Sequence, residues 1–65
     1  MVANNYAVQT YSYETDRKLD VILVPNIYGI DDESETFTEE FEPMLDEYLR
    51  ENTLYSLEDV YYSVL

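Results

Sequence analysis

Polar and apolar residues alternate along the first part of the chain in the pattern of two β-strands joined by a turn. Residues 5–14 alternate and are rich in residue types that favour strands. A second strand is predicted over 19–24, where Asp20 is the single polar residue, so both faces are expected to be covered over most of its length. The polar segment 15–18 is short enough for an antiparallel hairpin.

The spacing of apolar residues then changes to three and four, which predicts an amphipathic helix. Pro43 places the helix start near 40–42, because a proline without an N–H is tolerated in the first turn but removes a hydrogen bond further in. Earlier starts, capped by Thr36 or Thr38, are therefore disfavoured. The helix is expected to end at 52–53. Its buried stripe comprises Phe41, Met44, Leu45, Tyr48 and Leu49.

Two segments each fit more than one structure. Residues 57–65 fit a second helix behind a Ser56 cap, which we favour, although a final strand over 61–65 also suits the β-rich sequence. The segment 31–41 fits a third, acidic edge strand. We therefore predict a single α+β domain over 1–65, with an antiparallel β-hairpin or three strands packed against one or two helices. Its predicted core includes Val21, Leu23, Phe41, Leu45, Leu49 and Val60.

Charge narrows the possible functions. Fifteen acidic residues stand against three basic ones, and the net charge of −12 disfavours binding to nucleic acid or to an anionic membrane. The chain has no His and no Cys and is too short to enclose a water-excluding pocket, so we expect no enzyme activity, catalytic residue, metal site or cofactor. The N-terminus lacks the features of a signal peptide and the longest apolar run is 21–24, which predicts a cytoplasmic protein.

The segment 31–47 concentrates this charge, since nine of its seventeen residues are acidic and none is basic. Apolar residues recur within it, which favours a folded acidic surface over a disordered acidic tail. Carboxylates spaced along a helix and an edge approach the charge spacing of DNA, so we predict that this surface mimics DNA and binds a basic DNA-binding enzyme. The candidate contact residues are Asp32, Glu33, Ser34, Glu35, Glu39, Glu40, Glu42 and Glu47.

Three other interpretations are compatible with the sequence. Residues 31–42 match the ligand spacing of a calcium loop, but Thr36 occupies the position that needs glycine. An acidic adaptor that docks a basic partner unrelated to DNA has the same composition. Eight tyrosines on a small core also suit a homodimer, in which more apolar surface is buried.

The pair Glu33-Ser34, followed by Phe37 and further acids, resembles a motif in small phage proteins that inhibit uracil-DNA glycosylase. Those proteins are short, acidic α+β domains that mimic DNA. The chain departs from the motif at Glu35 and Thr36, where apolar residues follow the pair in that family. Phage anti-restriction and anti-CRISPR inhibitors share the size and charge.

The resemblance implies a phage-encoded inhibitor acting in the host cytoplasm, with Glu33 and Ser34 in phosphate-like positions. It further implies that a groove between the sheet and the helix receives an apolar side chain of the enzyme. The residues expected to line this apolar groove are Phe41, Met44, Leu45 and Tyr48.

Overall fold

The computed structural model, which describes residues 2–65, contains three β-strands and one α-helix. They are β1 (Asn5–Ser12), β2 (Lys18–Pro25), α1 (Phe37–Asn52) and β3 (Val60–Val64). The strands form an antiparallel sheet in the order β2-β1-β3, and α1 covers one face. The predicted α+β class and the antiparallel hairpin are confirmed. Within residues 2–65, no helix is both long enough and apolar enough to cross a membrane.

The central strand β1 positions the core because its alternation directs every second side chain towards α1. Tyr6, Val8 and Thr10 are buried on that inner face. The register with β2 shifts between Gln9 and Tyr11, which marks a bulge or irregularity. Next to this shift the Thr10 hydroxyl accepts a hydrogen bond from the Asp20 N–H (3.2 Å) and donates one to the Asp20 carbonyl (3.1 Å).

The helix α1 begins at Phe37, so the predicted start at 40–42 is wrong, whereas its predicted end is confirmed. Packing explains the earlier start, because the Phe37 ring stacks on Phe41 at a centroid distance of 5.0 Å and extends the buried stripe by one turn. Pro43 lies on the exposed side of the helix. Water there can replace the missing N–H donor to the Glu39 carbonyl, which lowers the cost of an internal proline.

The C-terminal segment forms β3 rather than the favoured second helix, and the alternative strand is confirmed. Ser56 and Asp59 do make the reciprocal bonds of a helix cap. The Ser56 hydroxyl accepts from the Glu58 N–H (3.3 Å), and the Asp59 carboxylate accepts from the Ser56 N–H (3.1 Å). Only one turn follows, because the free edge of β1 then pairs with residues 60–64.

The segment 31–41 contains no third strand between β2 and α1. Val2 pairs with Asp31 in an isolated bridge, a turn follows, and α1 takes up the remainder. The expected acidic edge strand is therefore wrong. The physical reason is that Phe41, Met44 and Leu45 can share one buried face only in a helix, and Phe37 stacks on Phe41 one turn earlier.

The core lies between the inner face of the sheet and α1, and the predicted Phe41, Leu45, Leu49 and Val60 are all part of it. Val21 and Leu23, also predicted to be buried, are 62% and 56% exposed. That prediction is wrong because the single helix covers one face of the sheet, and β2 directs these two side chains to the other. The buried apolar residues are Tyr6, Val8, Val24, Ile30, Phe41, Met44, Leu45, Leu49 and Val60.

Candidate functional site

The predicted contact residues lie on α1 and on the turn that leads into it. We call the set Asp32, Glu33, Ser34, Glu35, Glu39, Glu40, Glu42 and Glu47 the acidic surface. Ser34 and Glu42 are partly buried and the others are exposed. With about 100° of rotation per residue, Glu40 and Glu47 lie on one flank of the outer side of the helix, and Glu39 and Glu42 lie towards the other.

Hydroxyl groups in the turn hold the carboxylate of Glu40 at the start of α1. The Thr36 hydroxyl donates to Glu40 Oε2 at 3.1 Å and the Ser34 hydroxyl donates to the same oxygen at 3.3 Å. The Ser34 oxygen also accepts a hydrogen bond from the Thr36 N–H at 3.2 Å. Glu40 lies within the first turn, where a negative charge is stabilised by the helix dipole.

Tyrosine hydroxyls hold the carboxylates of Glu42 and Glu47. Tyr62, on β3, donates to Glu42 Oε2 at 3.0 Å, and Tyr28, in the loop after β2, donates to Glu47 Oε2 at 2.9 Å. Burial and the Glu42 carboxylate raise the pKa of Tyr62 above its ordinary value. The hydrogen bond to Glu47 raises the pKa of Tyr28. Both phenols are therefore protonated at neutral pH and act as donors to the two carboxylates.

These three anchored carboxylates have no cationic partner in the described part of the chain. Within residues 2–65, neither Lys nor Arg lies within salt-bridge distance of Glu40, Glu42 or Glu47. Arg50 instead pairs with Asp46 at 2.8 Å. A hydroxyl donor fixes the position of a carboxylate without cancelling its charge. The negative charges of all three therefore remain available to a basic partner.

Asp46 lies on the same outer side of α1 but is engaged within the molecule. Its Oδ1 accepts a hydrogen bond from the Leu57 N–H at 3.0 Å, and its Oδ2 accepts one from Arg50 Nε at 2.8 Å. These two donors, the Leu57 N–H first, lower the pKa of Asp46. Asp46 therefore fastens the segment before β3 to the helix, and its position at the surface does not make it a free anion.

The apolar groove expected between sheet and helix is not open. Phe41 and Leu45 are fully buried and Met44 is 2% exposed, while Tyr48 is partly buried. Phe41 packs against Tyr6 at a ring-centroid distance of 5.5 Å. These side chains fill the space between the two layers, so among residues 2–65 they form the core and do not line a cleft. The groove prediction is wrong because a protein of this size needs the whole stripe for its own core.

Two apolar residues that the sequence analysis did not select lie next to the acidic surface. Ile27 and Tyr28 are 68% and 60% exposed in the loop after β2, and the Tyr28 hydroxyl reaches Glu47. Gly29, with a φ of 64°, allows the chain to turn there. A signal was present in the sequence, since Ile27 and Tyr28 lie between Asn26 and Gly29, two residue types that favour turns, where the core does not cover large apolar side chains.

A calcium site over 31–42 is contradicted by the position of α1. The helix starts at Phe37, so its carbonyl points along the helix axis and cannot turn towards an ion in the loop. Among residues 2–65, no group of three or more acidic side chains is arranged to hold a metal ion.

Comparisons with known proteins were made at three levels. Neither the models of known protein families, nor curated proteins, nor solved structures give a match to this chain.

Proposed function

We propose that this protein inhibits a DNA-processing enzyme by placing its acidic surface in the groove that binds the DNA backbone. A uracil-DNA glycosylase is the first target to test, on the resemblance of the Glu33-Ser34 segment, and a phage is the proposed source. The observation that carries the proposal is the anchoring of Glu40, Glu42 and Glu47 by neutral hydroxyl groups.

Anchoring matters because a flexible carboxylate loses side-chain entropy when it binds, whereas a fixed one has already lost it. Each ionised carboxylate has about four acceptor positions, so one hydroxyl donor leaves room for a partner. An arginine of a DNA-binding groove pairs with a carboxylate through two parallel hydrogen bonds, as it does with a phosphate. The three anchored carboxylates are therefore suited to the side chains that bind a phosphate backbone.

The dimensions of the acidic surface agree with this role. The 16-residue helix α1 is about 24 Å long. Glu40 and Glu47 lie about 10 Å apart along it, which is close to three phosphate steps of about 3.4 Å on one DNA strand. The turn 31–36 extends the negative charge beyond the first turn of the helix.

Ile27 and Tyr28 add an apolar contact at the edge of this charged region. Interfaces commonly combine an aromatic or aliphatic contact with a polar rim. Because the stripe of α1 is buried, these two residues are the ones that we assign to receive an apolar side chain of the enzyme.

An inhibition assay tests the proposal. The protein is titrated into a uracil-excision reaction on duplex DNA, and the half-inhibitory concentration is measured at several DNA and salt concentrations. We expect excess duplex DNA to relieve the inhibition and added salt to weaken it. Both effects follow because the carboxylates would bind the same basic side chains as the DNA phosphates, through charge.

A pair of isosteric variants separates specific contacts from overall charge. Glu42→Gln with Glu47→Gln retains an acceptor for each tyrosine but removes both charges. The control, Glu14→Gln with Asp16→Asn, makes the same change in net charge in the exposed turn between β1 and β2, and its Asn likewise retains an acceptor for Tyr61. We expect about 100-fold weaker inhibition from the first pair, from the loss of two charged hydrogen bonds, and less than threefold from the control.

Equal effects of the two pairs would overturn the assigned surface and leave only a general effect of charge. An absence of glycosylase inhibition would overturn that target, and restriction and CRISPR nucleases would be assayed in the same format. A complex with a basic enzyme that excess duplex DNA fails to displace would favour the acidic adaptor instead.

A further inference from the structure

One face of the sheet is covered by no element of the described chain. Its side chains come from alternate positions of all three strands, and we call this set the neutral sheet face: Ala7, Gln9, Tyr11, Val21, Leu23, Tyr61 and Ser63. The sequences of β1 and β3 contain no acid. The acid of β2, Asp20, accepts a hydrogen bond from Tyr55, which packs on the core side.

The neutral sheet face is apolar at one end and aromatic at the other. Val21 and Leu23 are 62% and 56% exposed, and Leu23 lies opposite Ala7. At the other end the rings of Tyr11 and Tyr61 stack at a centroid distance of 4.9 Å with an interplanar angle of 10°. The strand residues of this face carry no negative charge, and Lys18, which lies opposite Tyr11, adds one positive charge at the aromatic end.

Two polar side chains of the face, Gln9 and Tyr61, make hydrogen bonds within the molecule. The amide of Gln9 donates to the carbonyl oxygens of Thr10 and Asp20, at 3.0 and 3.1 Å. The hydroxyl of Tyr61 donates to Asp16, an acid of the β1–β2 turn that borders the face at one end. Covering the face would therefore leave the partners of these two side chains in place, which limits the cost of desolvation.

We propose that the neutral sheet face binds a second copy of this chain, so that the protein is a homodimer with the two sheets packed face to face. The distribution of charge favours a second copy of the chain as the partner of this face. A basic partner is attracted to the acidic surface, on the other side of the molecule, and gains nothing from a face without acids. A partner of the same sign, such as a second chain with a net charge of −12, can approach closely only where acids are absent.

The geometry of such a dimer keeps the acidic surfaces apart. Two packed sheets lie about 10 Å apart, and each helix lies about another 10 Å beyond its own sheet, so the two helices are separated by about 30 Å. The Debye length at physiological ionic strength is about 8 Å, so repulsion across that distance is largely screened. Both acidic surfaces remain exposed, on opposite sides of the dimer.

The available area predicts a weak association. With strands of eight residues at about 3.3 Å per residue and a width of three strands, the face measures about 26 by 14 Å. A dimer through it buries roughly 700 Å² in total, below the value of about 1,000 Å² for a stable specific interface and in the range of weak, transient association. We expect a dissociation constant on the order of hundreds of micromolar, since so small an area leaves little surplus over the cost of association.

Sedimentation equilibrium over a range of protein concentrations tests this inference. We expect a monomer–dimer equilibrium that tightens as salt is added, because salt screens the repulsion between two negative chains. This inference goes beyond the proposed inhibition, and the two are tested separately. Added salt should strengthen the homodimer, whereas it should weaken a complex with a basic enzyme.

Matched variants locate the interface. Val21→Glu with Leu23→Glu places four negative charges in the dimer contact, and we expect at least about 100-fold weaker association. The uncharged pair Val21→Thr with Leu23→Thr places β-branched threonine, which favours a strand, at both positions, and we expect about tenfold weaker association. The control, Ile27→Glu with Leu54→Glu, adds the same charge at two exposed apolar positions outside the three strands.

Circular dichroism establishes that each variant keeps its secondary structure. A wild-type chain that stays monomeric at about 1 mM would overturn the inference, as would a dimer that both Val21 and Leu23 pairs leave intact. Equal weakening by the Ile27/Leu54 control would also overturn it, because overall charge and not the neutral sheet face would then govern association.

Discussion

Replacement of Pro43 by alanine tests where α1 begins, and hence whether Glu39 and Glu40 belong to a rigid helix. In the structure Pro43 is an interior residue of α1 and lies on its exposed side. It removes the N–H that would bond to the Glu39 carbonyl. Alanine restores that hydrogen bond and removes the contact of the proline ring with the preceding turn, without disturbing the core.

The magnitude follows from the position of the residue. An interior proline costs about 3 kcal/mol relative to alanine, and hydration of the exposed Glu39 carbonyl recovers part of that cost. We therefore expect Pro43→Ala to raise the free energy of unfolding by about 1 to 3 kcal/mol. A chain of 65 residues has a total of about 3 to 10 kcal/mol. The midpoint of thermal unfolding should rise by about 4 to 20 °C.

Urea and thermal unfolding, followed by far-ultraviolet circular dichroism, measure this change. Glu51→Ala, at another exposed helical position, is the control and should shift the free energy of unfolding by less than about 0.5 kcal/mol. The sign is decisive. If α1 began at 40–42, proline would suit the first turn. Alanine would then lower the free energy of unfolding by about 0.4 to 1 kcal/mol, because it increases the conformational entropy of the unfolded chain. A loss of stability would therefore refute the helix start at Phe37.

Two further predictions concern buried and partly buried polar groups. Thr10→Val keeps the shape of a fully buried side chain but removes the hydroxyl oxygen that accepts a hydrogen bond from the Asp20 N–H. We therefore expect the free energy of unfolding in urea to fall by about 1 to 2 kcal/mol, and Thr10→Ser, which keeps the hydroxyl, is the control. The Leu57 N–H and Arg50 lower the pKa of Asp46 in the folded protein. The stability that Asp46 contributes is therefore complete above the unfolded-state pKa of about 4, and it is lost as the pH falls through the lower pKa of the folded state. The difference in stability between wild type and Asp46→Asn should therefore be largest near neutral pH and shrink below about pH 4; a difference that is constant with pH would contradict this role.

The spacing of apolar residues was sufficient to predict features that lie within a single strand or helix. The alternation in 5–14 identified β1, and the spacing of Phe41, Leu45 and Leu49 identified the buried side of α1. The acids outside that stripe were correctly expected at the surface, because a charged side chain is rarely buried without a partner. The identity of a partner is not encoded in such a pattern, and it stays a proposal.

The first turn of α1 and the strand β3 were decided by contacts between distant segments. Pro43 argued locally against an early helix start, but burial of Phe37 against Tyr6 and Phe41 outweighs one lost hydrogen bond. Residues 60–64 have both helical and strand spacing. The unpaired edge of β1 favours the strand, since backbone hydrogen bonds and the Tyr11–Tyr61 stack form only there.

The sequence by itself therefore determined the kind of surface this protein has: acidic outside one helix, apolar beneath it. The tertiary structure alone decided which groups are free to bind. It brought Tyr28 and Tyr62 to Glu47 and Glu42, across 19 and 20 residues, and so fixed the positions of two carboxylates. It also closed the expected groove and left Val21 and Leu23 exposed, because one helix can cover only one face of a sheet.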